Sequence, residues 1–546
     1  MRTKTSSRRG VASVLASLAL AGTTMTHAAP AASASPAASG SSVYTAREAD
    51  WRVGPVVYQV WVDRYAPPAD RAAQQALLPP PKRLREWHEL PTTGTYLPDA
   101  KVWSHEIDFW GGNLASLRTR LGHVQTLGAD VLYLNPIHLA YTNHKYDALD
   151  YQQVSPEYGT RADVKALAGD LHQRGMKLVL DGVFNHMGRN SAAFRSAEAS
   201  PQSPYRSWFH IGPEFAATGN ARVWWGAVNL PELNLENPAV RAHLYESRDS
   251  VVRSWLRDGV DGWRLDTAFE LGTTYLTDLT RAAHAERKDA LVIGEIVNYP
   301  AQWVGTDGPL DGVMNFTWRR VLLDMAERKL SPALAQRMIE RTIADTGIEP
   351  LLRSWTLLDN HDLPRLASRL PDERQRRLAQ VLQFTLPGAP NLWQGGEIDT
   401  LGDGDPQQRA PMRWDVIDAG HPTLTWTRQL IGLRKTHRAL RVGDYRAVVA
   451  EQLFAFERHT DRALDSVIVL ANPHAHDVTE TVLLTNRSLM NATQFKDLVG
   501  TPPASETQRP SLDAGLLRVL VPAGSVRVLQ PVFEPLNGYS PYKRTP

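Results

Sequence analysis

A (β/α)8 barrel with an inserted subdomain after strand three and a C-terminal antiparallel β-sandwich is the fold that three features of this sequence predict. Apolar runs of strand length alternate with amphipathic helical stretches from Trp51 to about residue 440. Eight such runs can be placed, the number that closes a ring of parallel strands. Beyond residue 440 the helical period stops and short alternating strands follow one another between turns.

The elements are justified in chain order. Residues 1–28 read as a secretory signal: Arg2, Lys4, Arg8 and Arg9 form a charged start, residues 11–22 are apolar or small, and Thr26-His27-Ala28 offers a cleavage site. The apolar run is too short to span a bilayer. Ser7-Arg8-Arg9 leaves the twin-arginine route open beside the general one. A periplasmic or secreted protein is therefore expected, with no membrane partner once the signal is gone. Residues 29–45 are Ala, Pro and Ser with almost no large apolar side chain and read as a disordered tether.

The first part of the barrel spans 46–186. Residues 56–62 give strand one, and Leu114, Leu117, Leu121, Val124 and Leu127 share a helical face that stops at Gly128. Residues 131–134 give strand two. Thr160 and Asp163 have the spacing of a capping box for the next helix, which closes at Gly175, and residues 177–181 give strand three. Residues 187–232 lack periodicity and are too long for a barrel connection, so they read as an inserted subdomain over the mouth. The barrel resumes over 233–440, with a helix near 239–256, strands at 262–266, 291–294, 312–314, 355–358 and 391–393, and a last helix at about 422–438. The sandwich occupies 441–530, and 531–546 form a loosely ordered tail.

Composition removes several classes of function. A formal net charge of +2 over 546 residues gives no electrostatic reason to expect nucleic acid. The absence of cysteine rules out disulfides, which a core of this size does not need. The 16 tryptophans exceed ordinary use and serve either as core filling or as stacking surfaces for sugars.

Four short stretches carry the chemistry: Asp181-Gly-Val-Phe-Asn-His186, Gly262-Trp-Arg-Leu-Asp266, Gly294-Glu295 and Leu358-Asp-Asn-His-Asp362. Each ends an apolar run, where a parallel barrel gathers its loops into one mouth. Cleaving a glycosidic bond with retention needs an acid and a nucleophilic carboxylate about 5–5.5 Å apart. Asp266 and Glu295 end neighbouring strands and suit those parts. Arg264, two residues before Asp266, shares its face and is expected to hold it ionised as nucleophile. Glu295 has no adjacent cation in sequence, and Ile296 and Val297 favour its protonated form as general acid. Asp362 suits hydrogen bonding to ring hydroxyls and stabilising positive charge in the transition state, while His186 and His361 suit sugar hydroxyls.

These motifs, in this order, resemble the α-amylase family of glycoside hydrolases, family 13, from about Tyr58 to Trp414. The resemblance implies Asp266 as nucleophile, Glu295 as acid/base and Asp362 as transition-state stabiliser, with Arg264, His186 and His361 around the sugar being cleaved. It adds Tyr146, within His144-Lys-Tyr-Asp147, as a stacking tyrosine, and Arg365 as a further substrate-binding residue. Tyr205-Arg-Ser-Trp-Phe-His210 and Leu230-Pro-Glu-Leu-Asn234 are most similar to the neopullulanase and cyclomaltodextrinase group, as is Phe269-Glu270 after the nucleophile segment. That group's N-terminal β-domain has no counterpart in a twenty-residue tether, so a monomer is favoured. Ile296-Val297-Asn298 replaces a tryptophan common after the acid. The family's calcium loop after strand one is replaced by Ala66-Pro-Pro-Ala69, and Asn113 stands where an aspartate is common, which argues against a structural calcium there. Asn185 matches a ligand of the family's other calcium site, whose remaining ligands are not legible. No cofactor is required for the chemistry.

The expected activity is hydrolysis of α-glucosidic, mainly α-1,4, bonds in maltooligosaccharides, cyclodextrins or starch fragments. A transglycosylase or isomerase using the same covalent intermediate is the alternative, and an inactive carbohydrate-binding relative is the reading from another class. Trp224, Trp225, Tyr141 and Trp303 are candidate stacking residues around the mouth, or else structural ones.

Overall fold

The computed structural model describes residues 42–305, 307–418, 420–500, 509–533 and 542. The signal peptide and most of the tether, read over 1–41, lie outside the described residues, as does most of the tail.

Eight parallel strands close into a barrel: β1 (Val57–Val60), β2 (Val131–Leu134), β3 (Lys177–Gly182), β4 (Gly262–Leu265), β5 (Leu291–Ile296), β6 (Gly312–Asn315), β7 (Trp355–Thr356) and β8 (Ala389–Trp393). Their order around the ring follows the chain, with β8 paired to β1. Inward side chains from the lower half of the strands, among them Val57, Val131, Val179, Leu291 and Trp355, form a buried plug. Outward ones pack under the helices, including Leu132, Leu134, Leu178 and Leu180. Every strand residue of β2, β4 and β5 is buried, which is why these strands read as continuous apolar runs.

Helices cover the ring with local departures from the expected pattern. The predicted face of Leu114, Leu117, Leu121, Val124 and Leu127 is buried, but Arg120 breaks the helix into Leu114–Thr119 and Leu121–Leu127. Gly128 ends it at φ +96°, a left-handed conformation that favours glycine. Thr160 and Asp163 do form a capping box at the start of Arg161–Gln173. The helix expected over 239–256 is interrupted: Pro238–Arg241 runs into one wide turn, Ala242–Glu246, and the helix restarts at Val251–Arg257. Ser247 is extended, with ψ 154°, at the polar run that divides the two apolar stretches.

The tether ends sooner than its composition suggests. Ser42 accepts a hydrogen bond from the Thr45 amide at 3.3 Å and opens the helix Val43–Ala49. Tyr44 donates to Asp444 Oδ2 at 2.6 Å, and Arg47 bonds Glu349 at 2.6 Å and the Val442 carbonyl at 2.8 Å. One tyrosine and one arginine thus anchor a helix within an otherwise Ala/Pro/Ser-rich segment. At the other end, the strand Ser525–Val532 carries Pro531 and Val532, placed in the tail by the sequence, into register with Phe495 and Gln494. Tyr542 is buried and accepts from the Met490 amide at 3.3 Å.

The C-terminal domain comprises a five-stranded and a three-stranded sheet, both antiparallel, around their own apolar cluster. Arg458, buried in it, donates to Thr385 O on the barrel at 2.8 Å. The inserted segment has little sheet of its own. Phe194 and Phe209 pack edge to face at 4.9 Å, the single bridge Val223 to Pro231 lies within the segment, and His186 to Glu232 ties it to the stretch after β3.

Candidate active site

The barrel interior changes character with height. Two residues above the apolar plug, the inward positions become Gln59, Tyr133 and Asp181, because side chains of a strand repeat every second residue. Gln59 donates from Nε2 to Asn135 Oδ1 at 3.0 Å, and its Nε2 lies 2.9 Å from His361 Nδ1. Tyr133 donates to Asp181 Oδ2 at 2.5 Å. This polar layer is the floor of the site.

Arg264 stands opposite Asp181 in the β3–β4 register and is wholly buried. Its Nη1 donates to Asp181 at 2.9 Å and to Asp266 Oδ1 at 3.1 Å, while Nη2 lies 2.9 Å from Glu295 Oε1. Glu295 therefore does have a cationic partner, although none is adjacent in sequence. Asp266 and Glu295 thus lie against neighbouring nitrogens of one planar group, the first by a hydrogen bond and the second by an ion pair. The expected Arg264–Asp266 bond is present, but Arg264 does not outweigh the groups that oppose ionisation of Asp266. Burial pushes the Asp266 carboxyl well above its usual range; Arg264 opposes this, while Glu295, Asp181 and Asp362 add to it.

Two local features aim Glu295. Gly294 precedes it on β5, where a Cβ would fall 2.4 Å from Leu310 Cδ1 and 3.1 Å from Ala268 Cβ, so glycine fits the close packing behind the acid. Thr267 has φ +40°, a strained conformation for a β-branched residue, and its amide donates to Glu295 Oε2 at 2.9 Å.

Asp362 opens into the same cavity. His361 Nε2 lies 2.9 Å from one carboxylate oxygen, and Arg409 donates to the other at 3.0 Å. Burial works against its ionisation, but His361, Arg409 and Arg264 outweigh it and hold this carboxyl well below the usual range. Tyr146 stacks on His361 with the rings 7° from parallel and its hydroxyl 2.6 Å from Nε2. His186 is buried beside the cavity; Asn185 Nδ2 lies 3.3 Å from its Nδ1, while Nε2 has no protein partner and is free to meet a ligand oxygen. Burial pushes the His186 imidazole down to about 3, with His144 adding to the shift, so it stays neutral.

The cavity has a volume of about 750 Å³ and brings together Asp266, Glu295, Asp362, Tyr146 and His186, with Arg264 and His361 buried directly behind their carboxylate partners. Trp224, Trp225 and Phe269 also line it. Three sequence candidates do not. Arg365 is buried outside the cavity, donating to Gln394 O at 2.5 Å and Gln408 O at 2.7 Å over the Trp393 ring, so it braces the loop after β8. Trp303 is buried and donates to Asn298 Oδ1 at 3.1 Å, and the Tyr141 ring carries Lys82 Nζ at 5.2 Å. Sequence reasoning missed Asp181, Thr267 and Arg409 as site residues. Asp181 was signalled only by an acidic residue ending a strand; Arg409 lies 47 positions from the aspartate it binds.

Beside Asn113, the side chains are engaged with protein partners rather than left open to an ion. Asn113 Oδ1 caps a helix through the Ser116 amide at 2.8 Å, and Asp63 is paired with Arg64 while accepting from Gly111 N at 2.9 Å. Lys145 brings a buried ammonium onto Glu157, and Asn185 turns its amide nitrogen to His186. Asn113 Oδ1 and the Asp63 carboxylate are thus committed to protein donors.

Comparison with known proteins agrees with this geometry. Residues 93–444 match the family described as Alpha amylase, catalytic domain. Neopullulanase 2 of Thermoactinomyces vulgaris is 32% identical over 435 residues, covering 77% of this chain and 69% of the relative. A cyclomaltodextrinase of a Bacillus species is 30% identical, covering 77% and 73%. Among solved structures, the ligand-free cyclic α-maltosyl-(1→6)-maltose hydrolase from Arthrobacter globiformis superposes with a TM-score of 0.73 at 28% identity, over 88% of this chain and all of that one.

The buried imidazole makes stability depend on pH. Above about 6.5 His186 is neutral both folded and unfolded; as pH falls toward 3, the unfolded chain takes the proton first and the folded state loses stability, about 1.4 kcal/mol for each unit of depression. Urea unfolding of the wild type and His186→Gln should therefore show a stability gap that narrows from pH 7 to pH 4. A gap independent of pH would mean that this imidazole titrates normally.

Proposed function

We propose, on the premise that the chain belongs to the α-amylase family of glycoside hydrolases, that it cleaves α-glucosidic, mainly α-1,4, bonds with retention of configuration. The substrate class is that of maltooligosaccharides, cyclodextrins or starch fragments, in keeping with relatives named neopullulanase and cyclomaltodextrinase. The observation that carries the reading is Arg264 holding Asp266 and Glu295 on adjacent nitrogens beside a cavity that Asp362 also enters.

A retaining enzyme needs its two carboxyls about 5–5.5 Å apart, and a shared guanidinium is a direct means of keeping them close. In this reading Asp266 attacks the anomeric carbon as Glu295 gives its proton to the glycosidic oxygen. The bond to the leaving sugar breaks and a glycosyl ester forms. Glu295, now a carboxylate, takes a proton from water, which attacks the same carbon and frees Asp266. Arg264 stays charged throughout and lies against both carboxyls as they change. Asp362, kept ionised by His361 and Arg409, faces the positive charge developing on the ring. His186 donates to a sugar oxygen from Nε2, and Tyr146 offers a ring face. We extend the proposal to independence from calcium, supported by the protein donors that satisfy Asn113 and Asp63.

Asp266→Asn or Glu295→Gln should lower turnover of maltohexaose by about 10³-fold or more while the melting temperature stays near wild type; near-wild-type rates in either would remove the assignment. Proton NMR of the first products should show the α-anomer, and an initial β-anomer would exclude Asp266 as nucleophile. Dialysis against EDTA should change activity by less than about twofold, whereas a large loss restored by calcium would show a site built from other ligands.

A further inference from the structure

Between β1 and the helix Leu114–Thr119 the chain forms a small hairpin, Tyr96–Leu97 paired antiparallel with Val102–Trp103. Lys101, at φ +57°, makes the turn, and its amide bonds Leu97 O at 2.8 Å. The open end is fastened by Ser104 N to Thr95 O at 2.8 Å and by Gly94 N to His105 Nδ1 at 3.1 Å. Its base is clamped to the loop that carries Tyr146: Asn143 Nδ2 donates to His105 O at 2.7 Å and to Asp108 O at 2.8 Å. The hairpin is therefore a preformed part of the cavity wall.

Two aromatic rings stand on it. Tyr96 and Trp103 meet edge to face at 5.8 Å, both line the cavity, and they remain 44% and 46% exposed. Leaving these apolar faces open is costly unless something covers them, and a sugar ring, apolar on its faces and polar at its rim, suits an aromatic that is fixed in place.

The side of the cleft they serve follows from a chain of contacts. The Trp103 ring lies 6.2 Å from His105, His105 lies 3.8 Å from Asp405, Asp405 is 2.7 Å from Arg409, and Arg409 is 3.0 Å from Asp362. Glu295 takes no part in that chain: it accepts from Thr267 N at 2.9 Å and pairs with Arg264. The leaving sugar must meet the acid, and the contacts that join the hairpin to Asp362 rather than to Glu295 favour a role for it toward the retained sugars.

We propose that Trp103, backed by Tyr96, is a stacking platform for a retained glucose residue beyond the one bound at Asp266, and that this hairpin makes the enzyme discriminate in favour of longer α-glucans. The proposal rests on the functional reading above. It is tested with two substrates of one leaving group, 4-nitrophenyl α-glucoside and 4-nitrophenyl α-maltotetraoside. Trp103→Ala should lower kcat/KM for the tetraoside by about tenfold more than for the glucoside, and Trp103→Phe should restore most of the difference. An unchanged ratio in a Trp103→Ala protein with wild-type melting temperature overturns the platform. Wild-type turnover that vanishes in Glu295→Gln secures the functional reading independently of Trp103. Without such turnover that reading fails, and calorimetric binding of maltohexaose decides for the hairpin: affinity equal in wild type and Trp103→Ala overturns it, and about tenfold weaker binding in Trp103→Ala supports it.

Discussion

A buried guanidinium is the condition for everything at the mouth of this barrel. Arg264 gives up all contact with water, which is tolerable only because Asp181, Asp266 and Glu295 surround it. The three carboxylates in turn would repel one another without it. Two nitrogens of one rigid plane lie against Asp266 and Glu295, and burial, with Glu295, Asp181 and Asp362 adding to it, pushes the Asp266 carboxyl up against the pull of Arg264. Asp181 does no proposed chemistry, yet it orients the arginine on which the pair depends.

The barrel supplies this arrangement through register. Arg264 faces Asp181 because β3 and β4 are aligned at that residue, and the same alignment continued upward sets Asp266 beside Glu295 of β5. The apolar plug beneath cannot be exchanged for polar residues, and the polar floor above cannot be exchanged for apolar ones, so each strand changes character within two residues. Loops then add what the strands cannot: Arg409 from beyond β8, Trp225 from the insertion, and the Tyr96–Trp103 hairpin from beyond β1.

A second contrast separates Asp362 from the buried pair. It reaches the cavity from the wall and draws on His361 and Arg409 rather than on Arg264 alone, and its carboxyl shifts in the opposite direction to Asp266. The two acids are suited to different tasks, Asp362 carrying a constant charge and Asp266 bonding to the sugar in the proposed reaction.

The sequence by itself determined the eight strands, their order, the C-terminal sheets and the positions of Asp266, Glu295, Asp362, Tyr146, His186, Arg264 and His361 around one mouth. Strand runs are legible because burial on both faces demands unbroken apolar residues, and strand ends are legible because a parallel barrel delivers them to one face. Tertiary structure alone decided the partners. Glu295 has a cation because β4 and β5 are neighbours, Arg365 is turned away because the loop after β8 needs its donors, and Trp103 enters the cavity because Asn143 clamps its hairpin there. Such contacts join residues tens to hundreds of positions apart, where composition and periodicity carry no signal, and only the closing of the ring brings them within bonding distance.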